Sequence, residues 1–361
     1  MIKIKNKSCV LVKNGKFNFE ENLVHQLKSK ECLIRLKFTG VCSSDIYRAF
    51  DNSAYNYPLI MGHEISGSIY KVGNKIKNFK TGDRVVVFPL IPCKKCEQCK
   101  IQKYNMCKDY SYYGSRIDGG FSQYLIVNEW NLLKIPKNIS YEDAACIEPM
   151  SIGSHAIKKV SEDLNNANKK ILIIGSGFIG LVILEILNKC YKQKDISILD
   201  RNKFKLKYTK KLASKKILIK KDEEKNDNKY HNQYDIIFEA SGHKSNFIKS
   251  LHYAKPGGKI IWLGNITSEL NLEKKLVSQI LRKELKITGS WNADFDHTKK
   301  KSSFINDWKL SFDYMARGVK PSNYISKKIK IEEIPINLKK LYFHKLGKKN
   351  FNVIKLMVEN N

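Results

Sequence analysis

Four cysteines crowd into one stretch of fifteen residues: Cys93, Cys96, Cys99 and Cys107, spaced C-x2-C-x2-C-x7-C. Thiolates at that density close a tetrahedron around zinc and leave no coordination position open, so the site they predict is structural. Its work is to fix a loop too polar to fold by burial. A nucleic-acid-binding zinc ribbon uses thiolates as well, but ribbons more often carry two widely separated C-x2-C pairs. A second set is dispersed along the chain. Cys42 opens Cys42-Ser43-Ser44-Asp45 after a Gly40 turn, His63 and Glu64 lie in Gly62-His63-Glu64-Ile65-Ser66-Gly67, and Glu148 lies in Ile147-Glu148-Pro149. Each alone has a plain explanation as a small hydrophobe, a hydrogen-bonded ring or a surface charge. Together they offer a thiolate, an imidazole and carboxylates, a zinc set that keeps room for a substrate.

A third constellation addresses a nucleotide. Gly175-Ser176-Gly177-Phe178-Ile179-Gly180 directly follows the apolar run Ile171-Leu172-Ile173-Ile174 and opens a helical stretch. A lone G-x-G-x-x-G is weak, but a strand before it and a helix after it are the context that a dinucleotide site requires. Gly175 makes the tight turn, Gly177 lets backbone approach the pyrophosphate, and Gly180 lets helix and strand pack closely. The phosphates then meet the helix N-terminus. Asp200 closes the next strand, twenty residues after Gly180. A carboxylate there accepts from the ribose hydroxyls and repels a 2′-phosphate, which favours NAD. Arg201 beside it leaves NADP open.

The elements that must position these residues fall into two rhythms. The first 150 residues read as short strands with glycine turns: Leu33 to Lys37, Ile65 to Val72, Asp83 to Phe88 and Tyr124 to Val127. From Lys170 strands alternate with helices. Strands are expected at 171–174, 196–199, 217–219, 235–239, 259–263 and 285–288, with helices over 178–190 and from Lys203. That order predicts a doubly wound parallel sheet. The polar stretch from Lys220 to Gln233 is expected to be a solvated loop or ragged helix. A helix near Phe304 to Arg317 and a last strand near 353–358 complete the reading.

The totals bound the function. At 361 residues the chain predicts two domains, and 42% hydrophobic residues suffice for globular cores. No run approaches the roughly 18 apolar residues of a membrane span. The start, Met1-Ile2-Lys3-Ile4-Lys5, alternates like an edge strand and lacks the core of a signal peptide, so a cytoplasmic location without membrane contact is expected. Nine cysteines, an odd number with four clustered, point to metal and not to a disulfide framework. The formal charge of +31 raises nucleic-acid binding, but the lysines are spread over the whole length and form no stripe, so no nucleic acid is expected as partner.

The chain resembles the zinc-containing medium-chain dehydrogenases. The resemblance rests on Gly62-His63-Glu64-x-x-Gly67-x5-Gly73-x2-Ile76, Gly82-Asp83-Arg84-Val85, the cysteine lobe and the glycine loop, in the family's order over essentially the whole chain. Ile147-Glu148-Pro149-Met150-Ser151-Ile152-Gly153-x-His155-Ala156 is similar to the polyol (sorbitol) dehydrogenase branch. Three stretches are similar to its galactitol-1-phosphate dehydrogenases: Arg48-x-Phe50 through Tyr57-Pro58, Tyr113-Gly114-Ser115-Arg116-x-Asp118-Gly119-Gly120-Phe121, and Ile280 to Trp291.

The resemblance implies an α/β chain with a GroES-like β-rich catalytic domain over 1–152, carrying the zinc lobe at about 89–110. A Rossmann NAD-binding domain over 153–293 and a segment 294–361 that returns to the catalytic domain follow, with the active site in the cleft. It implies one catalytic and one structural zinc per chain. Cys42, His63 and either Glu64 or Glu148 are the catalytic ligands, the other glutamate holding a water, and Asp45 fixes the tautomer of His63. Lewis-acid assistance from zinc, Ser44 as the hydroxyl that takes the substrate proton, and hydride transfer to nicotinamide complete the mechanism. Two positions depart from the family pattern: Tyr47 stands where many relatives have a proton-relaying histidine, and Ser43 where a glycine is usual. The expected substrate is a small polyol or polyol phosphate, with Arg48 and Arg116 as candidates for the phosphate because a guanidinium fork matches it. Threonine or a simple alcohol is the alternative substrate and a non-catalytic nucleic-acid-binding relative the remote one. Relatives are dimers or tetramers, so a homo-oligomer is expected.

Overall fold

The structure, a computed structural model, describes residues 4–209, 212–218, 227–295 and 306–360. The expected starts at Met1 to Lys3 and Phe304, residue 219 of the third parallel strand, and residues 220–226 of the polar stretch lie outside them. The chain divides into two compact units, one made of Met1–Glu148, Phe295–Lys300 and Lys320–Asn361, the other of Pro149–Asp294 and Lys301–Val319. Against the expected boundaries, the helix Asp307–Ala316 belongs to the second unit, and the lasting return to the first begins at Lys320.

The first unit is built on a seven-stranded sheet. Its path runs Leu132–Lys134, Arg84–Val87, Glu64–Val72, Glu31–Val41, Lys355–Glu359 and Ile325–Ile329, and Tyr124–Asn128 pairs with the first half of Glu31–Val41. All pairs are antiparallel except the last two strands of the path. The β-branched run Arg84-Val85-Val86-Val87 and the alternation in Glu64–Val72 bury Ile65, Ile69, Val85 and Val87 against Ile34 and Leu36. The final strand, Lys-Leu-Met-Val-Glu, lies between two neighbours, with Leu356 opposite Val41 and Glu359 opposite Phe38. Residues more than 300 positions apart therefore share one ladder, and Lys355 is carried to the end of Glu31–Val41 that leads into Cys42.

The second unit holds six parallel strands in the order Lys215–Leu218, Ile196–Asp200, Ile171–Ile174, Tyr234–Glu239, Ala254–Trp262 and Lys286–Gly289. The order reverses at Ile171–Ile174, so a ligand crevice opens where that strand and Tyr234–Glu239 end. All four residues of Ile171–Ile174 are fully buried, which is why the run shows no alternation in sequence. Phe178–Lys189 follows as a helix with nine buried residues and packs on that strand. The lysine-rich helix is a short one, Lys203–Lys207, capped by the Asn202 side chain. Of the polar stretch, Asn228–Tyr230 forms one 3-10 turn.

Leu172 sits in the centre of this sheet with no exposed surface. We expect Leu172→Ala to lower the unfolding free energy by about 2–5 kcal/mol in urea titration, the range for emptying a core leucine site. A loss below about 1 kcal/mol would show that the sheet centre collapses around the gap.

Candidate functional site

The strands Leu90–Ile91 and Ser111–Tyr112 pair antiparallel and close the base of the cysteine lobe. Between them Cys96 precedes the short helix Glu97–Lys100, which carries Cys99. The four sulfurs lie within 4.8 Å of one another, with Cys93 to Cys99 and Cys96 to Cys107 both at 3.9 Å. A disulfide needs about 2.05 Å, whereas a tetrahedron with Zn–S bonds of about 2.3 Å has edges near 3.8 Å. Backbone N–H groups of Lys108 and Cys99 bring the Cys96 thiol down to about 6, while burial pushes Cys99 and Cys107 up. Four thiolates in one loop thus need a cation to hold them together, and the geometry fits zinc.

The second cluster forms where the central strand ends. Cys42 caps the helix Ser43–Phe50, which is absent from the elements expected from sequence. Its signal was Asp45, three residues on, whose carboxylate accepts from the Cys42 N–H at 2.9 Å. His63 and Glu64 begin the neighbouring strand, and Glu64 pairs across the ladder with Gly40. A Cβ on Gly40 would fall 1.9 Å from the Glu64 carboxylate, so glycine there makes room for it. Donor atoms of Cys42, His63 and Glu64 lie within 4.8 Å of one another, in reach of a single ion. Glu148, 5% exposed on the helix Ile147–Lys158, accepts from the Tyr112 hydroxyl at 2.9 Å.

Each carboxylate at this corner has a donor. Asp45 lies 3.5 Å from His63 Nδ1 and accepts from Arg48 at 2.9 Å. Burial works to raise its pKa, but His63, Arg48 and the Cys42 N–H together hold it below the usual range. Lys355, buried on the last strand, is ion-paired with Glu64 and donates to the Val41 carbonyl at 3.3 Å. Burial opposes its charge, and Glu64, Cys42 and Cys146 outweigh that and keep it protonated. Burial and the charge of Glu64 push the Glu148 carboxyl upward. Burial also opposes a charged His63, yet Asp45 and Cys42 hold its pKa well up. The corner attracts positive charge, which a metal ion supplies as well as a proton does.

The other expected residues are placed as follows. Ser44 is half-buried in the first turn of the helix and Ser43 is exposed. Tyr47 faces outward, with the Lys345 ammonium 3.9 Å from its ring centre. Arg48 is buried and committed to Asp45, so the expectation that it meets a phosphate gives way to a role in holding Asp45. Arg116 is sandwiched between Tyr55 and Tyr110, its guanidinium carbon 4.0 and 4.1 Å from the two ring centres. No hydrogen bond or ion pair to that guanidinium occurs among the described residues. Sequence reasoning missed Lys355, Tyr112, Tyr55 and Tyr110. Of these, only Tyr110 and Tyr112 carried a signal, lying with Tyr113 in an aromatic cluster shortly after the last lobe cysteine.

In the second unit Gly175 has φ +102°, and a Cβ on Gly180 would fall 1.9 Å from its carbonyl oxygen. Gly177 has open space where its Cβ would be, the clearance that a pyrophosphate needs. Its backbone precedes the twelve-residue helix beginning at Phe178, which is buried, with Ile179 half-buried beside it. Asp200 accepts from Ser176 N–H at 2.7 Å, from its hydroxyl at 2.8 Å and from Asn202 N–H at 2.8 Å. The acid that would read the ribose therefore also holds the glycine loop. Arg201 is exposed.

Comparison with known proteins agrees with both units. Residues 28–137 match the alcohol dehydrogenase GroES-like domain, and residues 142–334 match the glucose dehydrogenase C-terminus. The chain is 30% identical over 290 residues to galactitol 1-phosphate 5-dehydrogenase of Escherichia coli (strain K12), covering 79% of this chain and 83% of that one. It is 29% identical over 328 residues to D-xylulose reductase A of Aspergillus oryzae, covering 87% and 90%. The crystal structure of galactitol-1-phosphate dehydrogenase from Escherichia coli superimposes with a TM-score of 0.83 at 26% identity, over 98% of this chain and 99% of that one.

Removing one partner of a buried pair strands the other charge. With Glu64 fully buried and Lys355 5% exposed, we expect Lys355→Met to cost about 3–5 kcal/mol in denaturant unfolding. A cost within about 0.5 kcal/mol, the scale of a surface change, would mean that the pair is not buried in solution.

Proposed function

The chain belongs to the zinc-dependent medium-chain alcohol dehydrogenase family and is an oxidoreductase with a GroES-like and a Rossmann domain, and on that premise we propose that it interconverts a secondary alcohol and a ketone on a polyol phosphate. The observation that carries this reading is the corner of Cys42, His63 and Glu64, three unlike donors within reach of one ion.

In this reading Cys42 and His63 hold a catalytic zinc together with Glu64 or Glu148, and Cys93, Cys96, Cys99 and Cys107 hold a structural one. Held there, zinc would supply Lewis acidity that lowers the pKa of the substrate alcohol. Asp45 keeps the ring of His63 oriented, a task that outer partners of metal-bound histidines commonly perform. Ser44 takes the proton of the substrate hydroxyl. Tyr47 is turned outward under Lys345, so the proton leaves by water. A bound nicotinamide would supply the acceptor for the hydride that leaves the alcohol carbon as it becomes a carbonyl. The cofactor is NAD: Gly175, Gly177, Phe178, Ile179 and Gly180 take the pyrophosphate and Asp200 the ribose, while the exposed Arg201 keeps NADP as a weaker substitute.

Arg116 takes the phosphate. Its plane is held by two rings and its N–H groups have no anion of their own, the preparation that bidentate recognition favours. Tyr110 lies 6.2 Å from Tyr112, and Tyr112 lies 5.7 Å from His63, so a wall of rings connects the anion site to the corner. The enzyme works in the cytoplasm as a homo-oligomer. None of the nine cysteines is in a disulfide, and no helix among the described residues is long and apolar enough to cross a membrane. The edge strand Lys286–Gly289 and the exposed Val277, Leu281 and Trp291 offer a self-association face.

The test is NADH formation over a panel of polyols and their phosphates, with Cys42→Ser and Arg116→Ala. We expect turnover of a polyol phosphate, its loss in Cys42→Ser, and a KM raised about tenfold to a hundredfold in Arg116→Ala, as for a lost charge-assisted hydrogen bond. Turnover of threonine or a simple alcohol alone would refute the polyol reading, and an unchanged KM would refute the role of Arg116.

A further inference from the structure

Tyr112 is the residue at which the two cysteine-bearing sites of the first unit meet. It ends the two-residue strand that closes the lobe, five positions after Cys107, and pairs there with Leu90. Its ring stands edge-on to His63 at 5.7 Å, and its hydroxyl donates to Glu148 at 2.9 Å. Glu148 is close enough to the corner that the charges of His63 and Glu64 both act on it. A carboxylate on a helix end has two rotatable bonds beyond its Cβ, and this hydrogen bond selects one orientation among several. Asp45 and Glu64 each meet a cation, Arg48 and Lys355, and Glu148 accepts from the Tyr112 phenol.

We propose that Tyr112 is a positioning residue for Glu148 in alcohol oxidation, and that the four-cysteine lobe acts on the reaction by holding Tyr112 in place. The proposal rests on the dehydrogenase reading above. Tyr112 touches neither the alcohol carbon nor the nicotinamide in this role. It fixes the carboxylate that completes the metal corner or steadies the water and substrate hydroxyl there. Groups that orient metal ligands in this way are worth about tenfold to a hundredfold in affinity or activity when removed.

The test compares Tyr112→Phe, Glu148→Gln and the double variant in the zinc-loaded full chain. A second readout is the visible absorption of cobalt exchanged into the corner, which follows ligand geometry without turnover. We expect Tyr112→Phe to lower kcat about tenfold to a hundredfold with little change in KM. It should add less than about twofold to Glu148→Gln, because both changes act through one carboxylate. The cobalt bands should shift in Tyr112→Phe while both metals stay bound. Losses that multiply in the double variant would overturn the proposal, as would unchanged bands together with unchanged kcat. Loss of the lobe's metal in Tyr112→Phe would also overturn it, by showing that the tyrosine holds up the lobe itself. If the wild-type chain oxidises no polyol, the substrate reading fails and the cobalt bands alone decide Tyr112.

Discussion

The buried pairing of Lys355 with Glu64 is the constraint from which the arrangement of the chain follows. A thiol, an imidazole and three carboxylates share one corner almost without water, and uncompensated charge there would cost several kcal/mol per ion. The protein answers carboxylate by carboxylate. Arg48, one helical turn along, meets Asp45; the Tyr112 hydroxyl meets Glu148; Lys355 meets Glu64 from the far end of the sequence. To deliver that lysine, the last strand must enter the sheet beside Glu31–Val41 and not lie on its edge. The nucleotide-binding unit is consequently an insertion between the two segments that build the corner.

The two sets of candidate metal donors are solutions of opposite kind. The lobe draws its four sulfurs from fifteen consecutive residues, and little chain entropy is lost in bringing them together. It needs no neighbour to define it, and its donors are identical. The corner gathers unlike donors from 42, 63 and 64 and depends on the folded sheet for their spacing. Gly40 shows how tight that spacing is, since any side chain there would occupy the space of the Glu64 carboxylate. Closed and local suits a structural site; open and assembled suits a reactive one.

Legibility in the sequence followed the same division. The lobe and the glycine loop were readable because every residue they need is adjacent, and Ile171–Ile174 was readable because full burial removes polar residues from a strand. The parallel sense of the second sheet followed from alternation of strand and helix, whereas its strand order did not. Lys355 was not readable: nothing in a lysine ahead of Leu-Met-Val says that a glutamate 291 positions away will pair with it. The helix after Cys42 was hidden by its length of eight residues, too short for a period to emerge, although Asp45 marked its start. Arg48 and Arg116 looked equivalent as arginines, and only the structure separates one bound to Asp45 from one stacked between two rings.

The two clusters predict that one chain holds two zinc ions in different settings, four sulfurs around one and a single sulfur with nitrogen and oxygen around the other. X-ray absorption at the zinc edge measures this directly, because sulfur lies at about 2.3 Å and nitrogen or oxygen at about 2.0–2.2 Å. Two zinc per chain and a mixed set of ligand atoms are expected, from which the lighter atoms are lost when the corner metal alone is removed. A shell of sulfur only, with one zinc per chain, would contradict it and leave Cys42, His63, Glu64 and Glu148 without a catalytic role.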